Sequence, residues 1–456
     1  MQYKTDLTTG NIAIKLIKLS LPIMLTSFIQ MAYQLTDMFW VGKLGTGAVA
    51  AVGSAGFFTW LGMSIAFMAK IGTEVTIAQA TGRNDDNDVK NYMINGLLLA
   101  IVLAVVYSFV IFIGSKQLIH FFNLGTDVNN YNPTENAIIY LKYISIGMTF
   151  LFLHPTFSAI YNGIGKTKLP FYIMASGLAC NMILDPLLIF GIGPFPRLEI
   201  KGAAIATVIA QALVTSLFII SLNKNFKIFK YKFNFRKSFA VNIIKIGLPP
   251  SIQSALFACI AIVIARIISN WGTIPIAVQR IGSQIEALSW MTAGGFSTAV
   301  SAFVGQNYGA KLYKRIWKGY ITAFNIMAIT GIAVGFLLYF FPQYLFKVFV
   351  NEADTIQAGV VYLKILAFSQ VFMCLEIMTA GAFNGLSKST PPSIVGISFN
   401  LLRIPIAILL SGVIGLSGIW WSISGTSILK GIVLVIWFIF VGRAFIRSVG
   451  NAFIRS

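Results

Sequence analysis

Four carboxylates lie inside long apolar runs of this 456-residue chain: Asp37, Asp185, Glu286 and Glu376. A carboxylate within a membrane-spanning helix costs about 2.5 to 3.5 kcal/mol on insertion scales. An acid in such a place therefore needs a partner, a water-filled cavity or a function. These four residues are the first candidates for chemistry.

Asn181 and Asp185 form the most specific pattern among them. Their spacing of four places both side chains on one face of a helix. Pro186 has no N–H, so it leaves the carbonyl of Met182 without its helical partner. Carboxylate, amide and carbonyl oxygens together suit a small hard cation such as Na+, or a proton. The residues alone do not decide which ion binds.

Asp37 follows Tyr33 and Gln34 on about one face of the first predicted helix, which gives that helix a polar stripe directed away from lipid. If Asp37 lies close to Asp185, the two carboxylates titrate as a pair and share one proton. The alternative is that Asp37 caps the end of its helix, or lies at the membrane interface near Lys43.

Glu286 and Glu376 lie in the second half of the chain, as do Arg280 and Arg403. Two interpretations stay open with equal weight. In one, Glu286 with the nearby Gln284 contacts a cationic compound. In the other, an acid and an arginine form a buried ion pair that holds helices together. The candidates for lining a substrate cavity are Tyr33, Gln34, Gln284, Glu286 and Glu376.

The composition decides what kind of chain carries these acids. Hydrophobic residues make up 57% and charged residues only 11%, against about 25% charged in soluble proteins. This balance predicts an all-α polytopic membrane protein, since continuous apolar runs do not fit the alternating strands of a membrane barrel. Twelve apolar stretches lie near residues 12–42, 46–73, 92–114, 137–160, 169–192, 202–222, 241–269, 274–304, 319–341, 360–384, 391–413 and 416–441.

The net charge of +20 indicates orientation in the membrane and not nucleic-acid binding, because no soluble domain is present to carry a basic patch. With both termini in the cytoplasm, the inner loops collect Arg83, Lys166, Lys314 and Lys388 together with the basic segment 223–240. The outer loops hold far fewer basic residues. We therefore expect a multi-pass protein of the inner (plasma) membrane with cytoplasmic termini.

An internal duplication divides the chain into two halves. Ile17–Pro22 recurs as Ile244–Pro249 at an offset of 227, and Tyr140-Leu141-Lys142 recurs as Tyr362-Leu363-Lys364 at an offset of 222. The prediction is a pair of six-helix lobes, residues 1–222 and 241–456, joined by the linker 223–240. Ile264 and Ile404 occupy the positions that match Asp37 and Asp185. The two acids are therefore a feature of the first half alone.

The chain resembles the multidrug and toxic compound extrusion (MATE) transporters, in particular the DinF-like branch. The resemblance covers about residues 12–441 and rests on three motifs. These are Thr36-Asp37-Met38-Phe39-Trp40-Val41-Gly42, Asn181-Met182-Ile183-Leu184-Asp185-Pro186 and Val304-Gly305-Gln306-Asn307-Tyr308-Gly309-Ala310.

The resemblance implies two bundles of six helices in a V around a central cavity. It also implies export of amphipathic, often cationic organic compounds in exchange for H+ or Na+. The cation or proton site would comprise Asp37, Asn181 and Asp185, with Thr207 as the candidate for a threonine that the family often contributes from its sixth helix. We expect a monomer in the lipid bilayer, with no cofactor beyond the coupling ion.

Two other functions are alternatives to drug export. A flippase of the same superfamily would move a lipid-linked precursor and need a basic cavity, with Lys70, Arg280 and Arg403 as contacts. An intramembrane enzyme would need a catalytic motif or a metal-ligand set, and the sequence shows neither. We therefore expect a carrier and not an enzyme.

Overall fold

The computed structural model describes residues 4–122, 124, 132–227 and 235–454, with their side chains except at 443 and 445–454. Within this part of the chain the secondary structure is helical and contains no strand, so the predicted all-α fold is confirmed. The fourteen helices are α1 (Ile12–Gly42), α2 (Thr46–Gly82), α3 (Asp86–His120), α4 (Pro133–Gly163), α5 (Lys168–Phe190), α6 (Ile200–Phe226), α7 (Lys237–Ser269), α8 (Thr273–Gly309), α9 (Tyr313–Phe340), α10 (Pro342–Lys347), α11 (Ala353–Ala367), α12 (Gln370–Gly385), α13 (Thr390–Ile414) and α14 (Leu416–Ile454).

Polar side chains in the short connections cap the N-termini of two of these helices. The side chain of Asp85 accepts hydrogen bonds from the backbone N–H groups of Asn87 and Asp88 at 3.1 and 2.9 Å, where α3 begins. At the start of α4, Asn132 accepts from the N–H of Glu135 at 3.0 Å. These side chains satisfy N–H groups that have no partner inside the helix. Helices α3 and α4 therefore start at defined residues.

Ten of the helices are long and apolar enough to cross a membrane, and the bent pair of α11 and α12 gives an eleventh span. Helix α8 is 37 residues long but is not among them. Its first half carries Gln279, Arg280, Gln284 and Glu286, which lower its hydropathy. Counting α8 as a span gives the predicted twelve.

The predicted stretch 360–384 is not one straight helix. Helices α11 and α12 meet at an angle of 52° around Phe368 and Ser369. At this bend the carbonyl oxygen of Leu366 accepts from the hydroxyl of Ser369 at 2.9 Å and from the amide of Gln370 at 3.2 Å. Side chains that bond to the backbone in this way compete with the helical ladder. The bend therefore has a local polar cause.

The chain forms two compact units. Within the described residues, unit 1 comprises residues 4–5, Leu25–Ile77 and Asp85–Ser251, and unit 2 comprises Asp6–Met24, Ala78–Asn84 and the chain from Ile252 onward. The predicted lobes, residues 1–222 and 241–456, follow the two sequence repeats and have different bounds from these units. The division into these lobes stays a prediction. Of the predicted linker 223–240, residues 228–234 lie outside the described residues.

The unit boundaries follow the duplication. Met24 ends the first segment of α1, which belongs to unit 2, and Ser251 ends the first segment of α7, which belongs to unit 1. These two boundaries lie 227 residues apart, which is the offset at which the sequence repeats. Each half of the sequence therefore contributes the beginning of its first helix to the unit that contains most of the other half.

Glycines make the packing of these exchanged segments close. In unit 1, a Cβ at Gly72 of α2 would lie 2.1 Å from the carbonyl oxygen of Ile243 in α7. A Cβ at Gly247 of α7 would lie 1.9 Å from the carbonyl oxygen of Met68. Only residues without a side chain allow backbones to approach this closely. Helices α2 and α7 are thus in backbone contact within unit 1.

Candidate ion site and the polar clusters of the two units

Three helices of unit 1 bring the predicted ion-site residues together. Asn181 and Asp185 are fully buried on α5, and the amide of Asn181 donates to Oδ1 of Asp185 at 2.9 Å. Thr207 is buried on α6, and its backbone carbonyl accepts from the hydroxyl of Tyr33 on α1 at 3.4 Å. Asp37, one turn after Tyr33, interacts electrostatically with Asp185. The cluster thus combines two carboxylates with neutral polar groups.

Four oxygens of this cluster are buried and have no hydrogen-bond partner in the structure: Oδ1 of Asp37, Oδ1 of Asn181, Oδ2 of Asp185 and Oγ1 of Thr207. An unsatisfied buried polar group costs about 1 to 3 kcal/mol, so such groups need an explanation. Oxygens are the ligands that hard cations prefer. The four atoms therefore fit a small cation, and the two carboxylates also fit a shared proton.

Pro186 leaves one backbone carbonyl oxygen of α5 without its helical hydrogen bond. The helix continues through Pro186 to Phe190. Because proline lacks an N–H, the carbonyl of Met182 has no helical donor four residues later. Among the described residues no group of three or more His, Cys, Asp or Glu could hold a metal ion. Any cation at this site would therefore be held by two carboxylates and neutral oxygens.

The alternative interpretation of Asp37 as a cap does not match its position. Helix α1 runs five residues beyond Asp37, to Gly42. The ammonium group of Lys43 does not serve as its partner either, because it lies over the rings of Phe39 and Trp40, at 4.7 and 4.5 Å from their centroids. Asp37 is therefore an interior helix residue that interacts with the polar cluster.

Sequence reasoning missed Tyr140 of α4. This buried tyrosine interacts electrostatically with Asp37 and Asp185, so we assign it to the same cluster. The signal was present, because Tyr140 is one of the residues that recur in the second half. Its place beside the acids could not be read from the repeat alone.

The substrate-cavity candidates are divided between the two units, and their common role stays a prediction. Tyr33 belongs to the ion cluster of unit 1, and Gln34 beside it is exposed. In unit 2, Gln284 is exposed and Glu286 is half-buried on α8. Glu286 accepts hydrogen bonds from the hydroxyl of Tyr362 at 3.2 Å and from the amide of Gln370 at 3.1 Å.

Glu376 is held differently from Glu286. Its carboxylate forms a buried ion pair with Lys430 of α14 at 3.1 Å. The sequence had suggested Arg280 or Arg403 as the partner. Arg280 is exposed, and Arg403 donates to the hydroxyls of Thr426 at 3.1 Å and Ser427 at 3.5 Å. The ion-pair interpretation therefore describes Glu376, with a different partner.

The MatE family profile matches residues 22–187 and 249–409 of this sequence, which is most of the chain. This chain belongs to the MatE family. The predicted resemblance to the family is therefore confirmed, and the assignment to the DinF-like branch stays a prediction. The protein is a multi-pass membrane transporter and not an enzyme.

Two relatives of the MatE chain illustrate the range of names in the family. A protein of Thermotoga maritima, named probable multidrug resistance protein NorM, is 26% identical over 430 residues, or 93% of this chain and 92% of the relative. A protein of Shewanella oneidensis named FAD transporter is 26% identical over 443 residues, or 95% of both chains. A crystal structure of a MATE protein in the straight conformation matches the fold with a TM-score of 0.87 at 23% identity, covering 97% of this chain and 98% of that one.

Proposed function

We propose that this MatE chain is a secondary active efflux transporter that exports amphipathic, often cationic organic compounds in exchange for H+ or Na+. The observation that carries the proposal is the set of four buried oxygens without partners on Asp37, Asn181, Asp185 and Thr207. The names of multidrug resistance relatives support the class of exported compound. We further propose that the protein is a monomer in the inner (plasma) membrane with both termini in the cytoplasm.

Charge burial explains how an ion could drive the cycle. Two ionised carboxylates within one apolar unit repel each other and are poorly solvated. A proton or a Na+ at Asp37 and Asp185 relieves both costs, so the site would favour one conformation when loaded and another when empty. Each charge that crosses the membrane field contributes about 2.3 kcal/mol per 100 mV, before any concentration gradient.

Helix α1 is the element proposed to respond to the ion. It carries Asp37 near its end and Pro22 in its interior, where the proline removes one helical hydrogen bond. The chain passes from unit 2 to unit 1 two residues after Pro22, between Met24 and Leu25. We propose that ion binding bends α1 near Pro22, which lowers the affinity for the exported compound in the outward-facing state.

The test is uptake of a fluorescent organic cation into proteoliposomes under separate Na+ and pH gradients. One gradient should drive accumulation by the unsubstituted protein, which identifies the coupling ion. Asp37→Asn should abolish gradient-driven uptake and leave the purified protein monodisperse. The matched control is Asp354→Asn, which changes an exposed acid on α11 and should transport normally. Normal transport by Asp37→Asn would refute the assignment.

The same assay separates the alternatives for the substrate. Because one relative is named FAD transporter, FAD belongs among the compounds tested. A lipid-linked precursor tests the flippase alternative. Gradient-driven movement of an anionic compound, with no movement of organic cations, would favour these alternatives over drug export.

A further inference from the structure

We propose that Glu286 binds the positively charged ammonium or guanidinium group of the exported compound. The inorganic ion and the organic cation would then use acids in different halves of the chain. This inference rests on the proposed export of organic cations and names the residue that recognises their charge.

Hydrogen bonds from two neighbouring side chains fix the orientation of the Glu286 carboxyl group. Gln370 presents its NH2 group to Glu286, because its amide oxygen accepts from Ser289 at 2.8 Å and its nitrogen also donates to the carbonyl of Leu366 at 3.2 Å. The hydroxyl of Tyr362 donates to the other carboxylate oxygen. Both oxygens of Glu286 therefore have a donor beside them, and hydrogen bonds of this kind favour the charged form of an acid.

A carboxylate can accept about four hydrogen bonds, and two positions on Glu286 are filled. Tyr362 is only 2% exposed and Gln370 is fully buried, whereas Glu286 keeps some exposed surface. The carboxylate of this half-buried residue therefore has capacity for two further hydrogen bonds. An ammonium or a guanidinium group supplies N–H donors of the required kind.

The surroundings of Glu286 suit an organic cation better than a metal ion. In unit 1, the buried oxygens of the ion cluster lack donors and are available as ligands. Around Glu286, by contrast, the neighbouring groups direct an O–H and an N–H toward the acid, so their lone pairs do not face the place where Na+ would bind. The two units thus offer complementary chemistry, one to a small ion and the other to a hydrogen-bond donor.

The other charges of unit 2 leave Glu286 free to bind. Glu376 is occupied by Lys430 at 3.1 Å. Arg403 interacts electrostatically with both Glu376 and Glu286, but its guanidinium donates to hydroxyls, and none of the ion pairs in the described part of the chain joins it to an acid. Arg403 therefore offsets the negative charge of Glu286 without blocking its oxygens.

The duplication supports a built site. Tyr140 in unit 1 interacts electrostatically with Asp37 and Asp185, and its repeat counterpart Tyr362 in unit 2 donates to Glu286. In each half the duplicated tyrosine thus interacts with an acid, although different helices carry the acids. A site of this kind would not arise from the shared architecture alone.

Gly282, one turn before Glu286 on α8, leaves space for the ring of Tyr362. A Cβ at Gly282 would lie 2.1 Å from a ring atom of Tyr362, so the missing side chain provides the space for the ring. The ring of Tyr362 also meets Trp420 edge to face, with 4.8 Å between centroids. The hydroxyl that contacts Glu286 is therefore fixed by packing.

The test is binding of a matched probe pair to the purified full-length protein in detergent. The pair is a dansyl-labelled alkylammonium and its N-acetylated, uncharged derivative. Glu286→Gln should lower the binding affinity for the ammonium probe by roughly ten- to hundred-fold, which is the range for the loss of a hydrogen bond to a charged group. The affinity for the acetylated probe should stay almost unchanged. Glu352→Gln, at an exposed acid before α11, is the matched control and should bind both probes normally.

Three results would overturn the inference: equal weakening of both probes, no weakening of either, or loss of Na+ or H+ binding with the ammonium probe unaffected. If Glu286→Gln does not fold, Glu286→Asp keeps the charge on a shorter side chain and should weaken only the ammonium probe. Asp37→Asn separates this inference from the proposed function. It should lose gradient-driven transport and keep the preference for the ammonium probe.

Discussion

Thr207 and Thr156 are both buried threonines of unit 1, but they use their hydroxyls differently. The hydroxyl of Thr156 donates to the carbonyl of Phe152 at 3.3 Å, whereas Oγ1 of Thr207 has no hydrogen-bond partner. A buried hydroxyl without a partner lowers the stability of the fold and is available to a ligand. The contrast separates a structural threonine from a candidate ligand.

Thr207→Val should therefore reduce ion coupling without reducing stability. Valine has nearly the same shape and removes only the unpartnered oxygen, so the midpoint of thermal unfolding should stay the same or rise. The affinity for the coupling ion should fall about ten-fold, so the ion concentration at half-maximal transport should rise by the same factor. This corresponds to a loss of roughly 1.4 kcal/mol of binding free energy for one ligand oxygen. Thr156→Val is the control, and unchanged ion affinity in Thr207→Val would remove Thr207 from the site.

The buried pair of Glu376 and Lys430 leads to a stability prediction. Removing one partner leaves an uncompensated charge inside the protein, which costs about 3 to 5 kcal/mol, whereas removing both costs much less. Glu376→Gln should lower the unfolding temperature in detergent strongly, and the double variant Glu376→Gln with Lys430→Gln should recover most of the loss. Equal unfolding temperatures for the single and double variants would contradict a buried ion pair.

The residue scale also shows what the sequence could predict. Two sequence features indicated the ion-site residues that the structure brings together. One is the spacing of Asn181, Asp185 and Pro186, and the other is that the second repeat has no acid at the positions matching Asp37 and Asp185. The partners of Glu286 and Glu376 could not be predicted, because Tyr362 and Lys430 lie 76 and 54 residues away from these acids in the sequence. Which buried polar groups meet is decided by helix packing, and periodicity carries no information about it.

At the scale of elements, the sequence indicated where most helices lie but not where one of them bends. The stretch 360–384 has the apolar content of a single span, and no proline or glycine marks its interruption near Phe368. The bend instead coincides with the hydrogen bonds of Ser369 and Gln370 to the carbonyl of Leu366. The bend between α11 and α12 thus coincides with two polar residues, Ser369 and Gln370, whose effect on helix direction cannot be read from hydropathy.

Two glycines of α8 should respond very differently to the same substitution. A Cβ at Gly309 would lie 2.0 Å from the carbonyl oxygen of Gln79, and nothing lies within 4 Å of a Cβ at Gly294. Gly309→Ala should lower the free energy of unfolding by about 1 to 3 kcal/mol, the usual cost of overpacking. Gly294→Ala should be neutral or stabilising by up to about 1 kcal/mol, because alanine favours a helix.

Denaturation of the two variants in the same detergent, followed by circular dichroism, measures this difference. The result would contradict the packing of α2 against α8 within unit 2 if both variants unfolded at the same denaturant concentration. Transport by Gly294→Ala should remain normal.

At the scale of the whole molecule, the distribution of basic residues predicts which loops face the cytoplasm. Lys224 near the end of α6 and Arg197 before it are both exposed and should lie on opposite sides of the membrane. In a variant without its three native cysteines, a membrane-impermeant maleimide applied to intact cells should label Arg197→Cys. It should label Lys224→Cys only after the cells are opened. Labelling of Lys224→Cys in intact cells would reverse the proposed orientation.

The exchanged first segments of α1 and α7 bear on whether the halves could exist apart. A fragment ending before α7 would lack residues 237–251, and the backbone of α2 at Met68 and Gly72 would lose its covering helix. A fragment beginning at α7 would lack residues 6–24 in the same way. Neither fragment should therefore be stable when synthesised alone. Synthesised together, the two should complement each other and restore transport, since each completes the packing that the other leaves open.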